Sequence, residues 1–292
     1  MRRKKVKVAA PDDTGTMPTP TNPALNDLAL PSDDTSSIGV SRARHYKRNV
    51  VISFALFVAA IALVKHPGLV DRPVIKLLNS YSNRSPFWNA LFHDFDTYFT
   101  FSGVILIAVI WFCWFSKGTI ENRARIVVAT VVSLETGILS RFVQHHVRSH
   151  ARPYYDPSIH FHPPAMPATP FNTWNSFPSD HAAVFIGLAI TIYVIRPRLG
   201  MFLAAWLAVV ECSRIYTGAH YPSDVLGGAA LAGMSVWASQ SPLLLAVGRR
   251  VVGWERSSPA LFYMCGFLFS YQIATLFLDI RLAVSDFLAI TH

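Results

Sequence analysis

Apolar stretches separated by short polar segments make up most of the chain after residue 49. Several of these runs approach the roughly 20 residues that an α-helix needs to cross a bilayer. Seven runs can be distinguished, over residues 50–64, 98–115, 126–139, 182–195, 201–212, 225–247 and 261–278. Some are short, and the last can be an element appended to the bundle. The pattern therefore predicts an all-α, polytopic membrane bundle of six or seven transmembrane helices.

The segments around these runs divide the chain into three predicted regions. Residues 1–48 are rich in Pro, Thr, Ser, Asp and Lys and cannot bury a core, which predicts a disordered basic tail. Residues 49–248 form the predicted membrane domain, and residues 249–292 a C-terminal loop with room for an extra transmembrane helix. Residues 73–95 mix apolar and polar positions at helical spacing. They predict an interfacial helix on the outer face, with a plain loop as the alternative.

Composition and charge agree with a membrane location. Hydrophobic residues make up 52% of the 292 residues and charged residues 15%, too apolar a balance for a soluble domain of this length. The net charge is +9, but the cations lie between the predicted spans, which argues against a nucleic-acid partner. Of the 26 Lys and Arg residues, 17 fall on the same side of the predicted bundle as the N-terminus. The positive-inside rule therefore places the N-terminus in the cytoplasm.

Three polar clusters carry the candidate chemistry, at residues 145–153, 177–181 and 213–224. The predicted topology puts all three on the outer face of the membrane. Arg152 and Arg214 are permanent cations whose forked donors suit phosphate oxygens. Ser179 is placed to cap the fourth span, so that its hydroxyl and the first free N–H groups of that helix form an anion site. The clusters together predict a phosphate-binding site.

Two histidines in these clusters can share a phosphoryl-transfer cycle. His220 and Asp224 are four residues apart, so the carboxylate can reach one ring nitrogen and leave the other free to attack phosphorus. His181 is then the acid that protonates the leaving oxygen. Water would cleave the resulting phosphohistidine, with His181 acting as the base.

At these residues the sequence resembles the type 2 phosphatidic acid phosphatase (PAP2) superfamily, which shares its site with vanadium haloperoxidases. The family's motifs are K(x6)RP, PSGH and SR(x5)H(x3)D. The third motif is complete, and its residues are Ser213, Arg214, His220 and Asp224. Four fixed letters at fixed offsets make this match specific.

The other two motifs depart from the family at one position each. The second is PSDH, with Asp180 in place of glycine, and Asp180 can either cap the helix or pair with an extra arginine. The first keeps Arg152 and Pro153 but has His145 at the lysine position. A neutral histidine contributes less than lysine to phosphate binding, which leaves Arg148 or Arg141 as a substitute cation.

The resemblance implies a PAP2-like helical core over roughly the third to sixth spans. It also implies hydrolysis of a lipid phosphate or diphosphate through a phosphohistidine, with no metal ion or cofactor. By resemblance, Ser213 and His145 join Arg152, Arg214 and Ser179 as phosphate ligands. The PSDH sequence is similar to bacterial undecaprenyl diphosphate phosphatases of the bacitracin-resistance type. We therefore expect undecaprenyl diphosphate as substrate, and an active site on the periplasmic face of a bacterial inner membrane.

Other interpretations stay open at this point. The same chemistry would serve a phosphatidic acid or phosphatidylglycerol phosphate phosphatase, or a phosphotransferase acting on lipid A. A transporter or a non-catalytic scaffold is the alternative from another class, although the ionisable groups cluster at span ends rather than at mid-membrane. Glu135 and Glu211 lie within or near the end of apolar runs and are expected outside the site, with Glu211 paired to an arginine or at the interface. The pattern says nothing of oligomeric state.

Overall fold

The computed structural model describes residues 34–116, 118–147, 149–165 and 174–291. The chain divides into two units, residues 1–41 and residues 42–292, and the candidate site lies in the second. The described residues contain no β-strand, only an isolated bridge between Ala151 and Asn175. Their helices are α1 (Asp34–Lys65), α2 (Asp71–Asn79), α3 (Pro86–Thr97), α4 (Gly103–Ser116), α5 (Ile120–His146), α6 (Asp180–Ile195), α7 (Pro197–Tyr216), α8 (Pro222–Ser239), α9 (Pro242–Ser257), α10 (Pro259–Ala274) and α11 (Leu278–Thr291).

The N-terminal boundary differs from the prediction. Residues 1–33 of the predicted disordered tail lie outside the described residues. Helix α1 begins at Asp34, inside the predicted tail, and continues through the first apolar run. An apolar run marks only the part of a helix that lipid can surround, so it does not locate the polar end of that helix.

The prediction of an all-α membrane bundle is confirmed. Four described segments are long and apolar enough to cross a bilayer, and they are Tyr46–Lys65, Phe99–Ser116, Ile120–His146 and Pro197–Tyr216. Two helix pairs pass the same test only together, and each pair is bent, by 77° between α8 and α9 and by 75° between α10 and α11. Helix α6 is apolar but has only 16 residues. The described chain therefore has four spans, or six if each bent pair is counted as one.

The last two predicted runs are not straight helices. The run 225–247 crosses a break at Gln240 and Ser241, after which Pro242 begins α9. Proline has no N–H to donate to the preceding turn, so a helix ends there although the apolar pattern continues. The run 261–278 is interrupted at 276–277, where both residues have positive φ. Apolar composition alone did not reveal either bend.

The predicted interfacial helix over residues 73–95 is two helices. A turn separates α2 from α3, and Asn83 in this turn adopts a φ of 62°. The side chains of Asn83 and Asn89 close the turn, with Asn89 Nδ2 donating to Asn83 Oδ1 at 3.0 Å. Both helices pack against α7, and α2 also packs against α8. They therefore lie beside the polar end of α7.

Helix α6 is surrounded by other helices, in contact with α4, α5, α7 and α8. Small residues let helices approach closely in a membrane, where lipid tails are as apolar as the side chains. A Cβ on Gly187 would lie 2.6 Å from Ser133 Oγ of α5, and one on Gly228 of α8 would lie 2.3 Å from the Ser179 carbonyl oxygen. These glycines let α5 and α8 press against α6. The start of α6 is therefore fixed between two helices.

A cavity of about 420 Å³ lies between α4, α5, α9 and α10. Its lining is mainly apolar and aromatic and includes Trp111, Trp114 and Phe262. None of its lining residues belongs to the three polar clusters predicted from the sequence. The candidate chemistry therefore lies elsewhere in the bundle.

Candidate active site

Three polar segments meet where α5 and α7 end and α6 and α8 begin. The N–H of Ser179 donates to the backbone carbonyl of Asp224 at 3.0 Å, which joins the start of α6 to the start of α8. The guanidinium of Arg152 donates to the carbonyl of Ala219 at 2.7 Å, which joins the loop after α5 to the loop before α8. Segments distant in sequence therefore form one polar site.

His220 lies in the short loop between α7 and α8 and is fully buried. Its Nδ1 is 3.1 Å from the carbonyl oxygen of Ser176 and 3.6 Å from Oδ2 of Asp224. A carbonyl only accepts, so Nδ1 carries the proton and Nε2 presents its lone pair. Nε2 is buried and forms no hydrogen bond within the described residues. A buried polar atom without a partner is rare, and it marks a place where a ligand or reacting atom fits.

Electrostatics keep the His220 ring neutral. Burial lowers the pKa of His220, Asp224 opposes this shift, and the positive charges of Arg152 and Arg214 lower the pKa further. Because the ordinary pKa of histidine is about 6.5, the lowered value leaves the ring uncharged near neutral pH. The uncharged ring is the form that has a lone pair to offer.

Asp224 is held mainly by a histidine that the motifs did not mark. Its Oδ1 is 2.8 Å from Nε2 of His150, and its Oδ2 accepts the N–H of Tyr221 at 2.7 Å. Burial lowers the pKa of His150, but the hydrogen bond and charge of Asp224, helped by Asp71 and other carboxylates, raise it overall. At 3.6 Å Asp224 acts on His220 through its charge, while the shorter contact of Nδ1 is with the Ser176 carbonyl.

His181, in the first turn of α6, has a carboxylate partner. Its Nδ1 is 2.7 Å from Oε1 of Glu211 on α7, and both side chains are buried. Glu211 was expected to pair with an arginine or to lie at the interface; it is buried and its hydrogen-bond partner is His181, while its charge also acts on Arg214. The edge of the Phe185 ring meets the His181 ring at a centroid distance of 4.4 Å.

The two predicted arginines lie close to His220. Arg152 is buried, and besides Ala219 it contacts Oε1 of Gln144 at 3.4 Å. Burial and the nearby charge of Arg214 lower the pKa of Arg152 to about 10, which still leaves it a cation at neutral pH. Arg214 donates to Oδ1 of Asp96, at the end of α3, over 2.7 Å. The positive charges of both arginines act on the His220 ring.

Ser179 is the N-cap of α6, as predicted, and its Oγ accepts the N–H of Ala182 at 3.2 Å. The first N–H groups of α6 are therefore not all free to bind an anion. The N–H of His181 donates to Oδ1 of its neighbour Asp180. Ser179 can still donate its hydroxyl proton to an anion. Ser213 donates its hydroxyl proton to the Val210 carbonyl within α7 at 2.5 Å, so that proton is directed away from a phosphate.

The two family departures take different positions. Asp180 pairs with Arg141 on α5 at 3.2 Å, which is one of the two alternatives expected from the sequence. His145, at the lysine position, lies exposed in the last turn of α5, and its side chain forms no hydrogen bond to another described residue. Arg148 lies outside the described residues. The arrangement thus leaves His145 at the edge of the site.

Comparison with known proteins agrees with this arrangement. The sequence profile of the PAP2 superfamily matches residues 125–241, which hold all the motif residues. The putative undecaprenyl-diphosphatase YbjG of Escherichia coli (strain K12) is 30% identical over 164 residues, covering 54% of this chain and 77% of that protein. The chain belongs to the PAP2 superfamily. The predicted resemblance is confirmed, and the protein is a multi-pass membrane phosphatase of this family.

Other relatives match over shorter parts of the chain or at lower identity. The undecaprenyl-diphosphatase BcrC of Bacillus subtilis (strain 168) is 24% identical over 144 residues, covering 49% of this chain and 71% of that protein. The bacitracin transport permease protein BcrC of Bacillus licheniformis is 39% identical over 61 residues. That match covers 21% of this chain, and the chain spans only 30% of the length of that relative.

Several residues around the PAP2 motifs were missed by sequence reasoning. Glu211 and Asp96 contact motif residues directly, and His150 holds Asp224. Arg281 of α11 interacts electrostatically with Arg141 and Asp180, although the region after residue 248 was predicted to lie outside the membrane domain. A signal existed for Glu211, because a charge inside an apolar run is costly and usually functional.

Proposed function

We propose that this PAP2 phosphatase removes the terminal phosphate of a lipid diphosphate or lipid phosphate through a phosphohistidine on His220. The observation that carries the proposal is the buried, unpaired Nε2 of His220. Arg152 and Arg214 act electrostatically on the same ring. A neutral imidazole beside two forked cations supplies both the nucleophile and the charge that a phosphoryl group needs.

The reaction has two balanced steps. Nε2 of His220 attacks phosphorus, and the bond to the leaving oxygen breaks with its electron pair while His181 gives that oxygen a proton. Water then attacks the phosphohistidine and gives a proton to His181, and the P–N bond breaks with its electron pair returning to His220. Arg152, Arg214 and the hydroxyl of Ser179 hold the phosphoryl oxygens as charge moves between them. The scheme uses no metal ion.

Undecaprenyl diphosphate is the substrate that we propose. Two relatives are named as undecaprenyl-diphosphatases, one of them putatively, and this supports the choice. The site also lies at the ends of apolar helices, so a prenyl chain can stay among lipid tails while its headgroup meets the arginines. The excess of Lys and Arg on the side of the N-terminus supports a cytoplasmic N-terminus and an active site on the periplasmic face of a bacterial inner membrane.

A lipid panel tests this function. The full chain, purified and reconstituted in nanodiscs, would be given undecaprenyl diphosphate, phosphatidic acid, phosphatidylglycerol phosphate and lipid A, with and without excess chelator. We expect phosphate release to be fastest with undecaprenyl diphosphate, unchanged by chelator, and lost in His220→Ala. Release that stops in chelator would contradict the metal-free scheme. Transfer of phosphate between lipids without free phosphate would replace the hydrolase by a phosphotransferase.

A further inference from the structure

A buried carboxylate on α7 contacts the second histidine of the site. Glu211 is 2% exposed, and its Oε1 is 2.7 Å from Nδ1 of His181. Its Oε2 is buried and has no hydrogen-bond partner among the described residues. A carboxylate in an apolar helix is costly unless it is paired, and the hydrogen bond that pairs this one is with His181. Burying a carboxylate costs free energy, and a functional role would explain why this one is kept.

We propose that Glu211 is a positioning residue that keeps His181 ready to protonate the leaving oxygen, an inference that rests on the proposed function. A carboxylate at Nδ1 accepts the proton of that nitrogen and stabilises the ring that also carries a proton on Nε2. The contact directs Nε2 away from α7, and the T-shaped contact with Phe185 fixes the plane of the ring. The ring of His181 is thereby held in one orientation, with Nε2 placed to carry the proton that the leaving oxygen takes.

The spacing along α7 separates this role from phosphate binding. Glu211 and Arg214 are three residues apart, so they lie on neighbouring positions of one helix face. Arg214 forms its hydrogen bond with Asp96 at 2.7 Å and Glu211 forms its hydrogen bond with His181, while the charge of Glu211 also acts on Arg214. One face of α7 therefore carries both Arg214, which would bind the phosphate, and Glu211, which contacts His181.

The proton balance assigns Glu211 a part in both steps. When His220 attacks, the proton on Nε2 of His181 moves to the leaving oxygen, and the Nδ1 proton stays on the hydrogen bond to Glu211. When water attacks the phosphohistidine, Nε2 of His181 takes the water's proton and the ring again becomes a cation beside the carboxylate. The charge of Glu211 stabilises His181 before the first step and after the second.

Leaving-group chemistry distinguishes this role from a structural one. An alkoxide is a poor leaving group and needs a proton in the transition state, whereas a nitrophenolate leaves without one. Loss of the carboxylate should slow the reaction of an alkyl phosphate and spare that of an aryl phosphate. A distorted site would slow both reactions by the same factor.

The test compares kcat/KM for octyl phosphate and p-nitrophenyl phosphate in the reconstituted full chain. Glu211→Gln keeps the side-chain shape and an oxygen acceptor but removes the charge. We expect it to lower kcat/KM about 100-fold for octyl phosphate and less than about fivefold for the aryl ester. Glu135→Gln is the matched control, because it removes a carboxylate from another apolar helix at an exposed position and should change neither value.

Equal losses on both esters, or no loss on either, would overturn the inference. A double-mutant cycle with His181→Ala provides a second test of the role of Glu211 if the single Glu211→Gln variant is unstable. If Glu211 acts through His181, the Glu211→Gln change made in His181→Ala should add no further loss on octyl phosphate. An additional loss in that background contradicts the role. Wild type that releases no phosphate from either ester or from any lipid of the panel would instead refute the proposed function, and the proposed role of Glu211 with it.

Discussion

The two histidines of the site are held in opposite ways. Nδ1 of His220 lies 3.1 Å from a neutral backbone carbonyl, whereas Nδ1 of His181 lies 2.7 Å from a carboxylate. Both rings are buried, so burial does not separate them. The carbonyl accepts the Nδ1 proton of His220 and leaves a lone pair on Nε2, whereas the carboxylate of Glu211 is a charged acceptor for Nδ1 of His181. The difference teaches that the group bonded to Nδ1 can decide whether a histidine is suited to act as a nucleophile or as an acid.

The contrast follows from where each histidine lies in the fold. His220 is in a loop, next to the backbone of the segment before α6. That segment is fixed on α5, because the Pro178 carbonyl accepts from Ser140 at 2.8 Å and from Gln144 at 2.5 Å. His181 is in a helix, and its side chain faces the neighbouring helix rather than a loop. A loop offers backbone carbonyls, whereas a helix, whose carbonyls are already bonded, offers side chains.

The largest effect should come from exchanging each histidine for alanine. His220→Ala should lower phosphate release by on the order of 10⁴-fold or more, because it removes the nucleophile. His181→Ala should lower turnover by about 10²- to 10³-fold, because it removes a proton donor and acceptor. With labelled substrate, label should stay on the protein longer in His181→Ala, since water attack is slowed, and should be absent from His220→Ala. Label on the His220→Ala protein would contradict the assignment of His220 as the nucleophile.

Asp224→Asn should have an intermediate effect. Asp224 is 3.6 Å from His220, so it supplies charge but not the shortest contact, and the asparagine oxygen can still accept the N–H of Tyr221. We expect kcat/KM to fall by about 10- to 100-fold, measured on the best lipid of the panel. A loss as large as that of His220→Ala would show that Asp224, and not the Ser176 carbonyl, orients the nucleophile.

The fold was predictable where one apolar run made one helix. The runs 126–139 and 201–212 each lie inside a single described helix. The sequence could not show the bend between α8 and α9, because apolar residues continue on both sides of Pro242. The polar residues 34–48 likewise gave no apolar signal for helix α1, which extends through them.

The site was predictable where a motif fixes the spacing of residues. His181, Arg152 and His220 were predicted as site residues because each belongs to a short pattern with a chemical reason for its letters. Glu211 and Asp96 were not assigned to the site, because their partners come from other helices. Which residue of α3 reaches Arg214 depends on how two helices pack, and local sequence does not encode that distance.

His150→Gln tests whether the Asp224 carboxylate interacts more strongly with His150 than with His220. The pKa of His150 is raised in the folded protein, chiefly by Asp224 against the effect of burial. A raised folded pKa gives stability that is fully present below the unfolded value of about 6.5 and is lost as the pH rises through the folded value. We expect the variant to be about 1–2 kcal/mol less stable than wild type at low pH, with the difference shrinking at alkaline pH.

Thermal unfolding of both proteins over a range of pH measures this difference. His66→Gln, at an exposed position just after α1, is the control and should not differ from wild type at any pH. A gap between wild type and His150→Gln that stays constant with pH would mean that the charge on His150 does not hold Asp224. Asp224 would then interact with His220 as strongly as with His150. The contrast between His220 and His181, which rests on the partner of Nδ1, would be smaller.

The smallest effect is expected at His145, the position where the family motif has lysine. Its side chain is exposed and forms no hydrogen bond to another described residue, whereas Arg152 and Arg214 already act as two cations on His220, the proposed nucleophile. His145→Ala should therefore change kcat/KM by less than about threefold, since surface positions contribute little. His145→Lys, measured beside it on the same lipid, should retain full turnover. A loss of more than tenfold in the alanine variant would mean that the substrate draws His145 inward, and that a third cationic group belongs beside the pair of histidines.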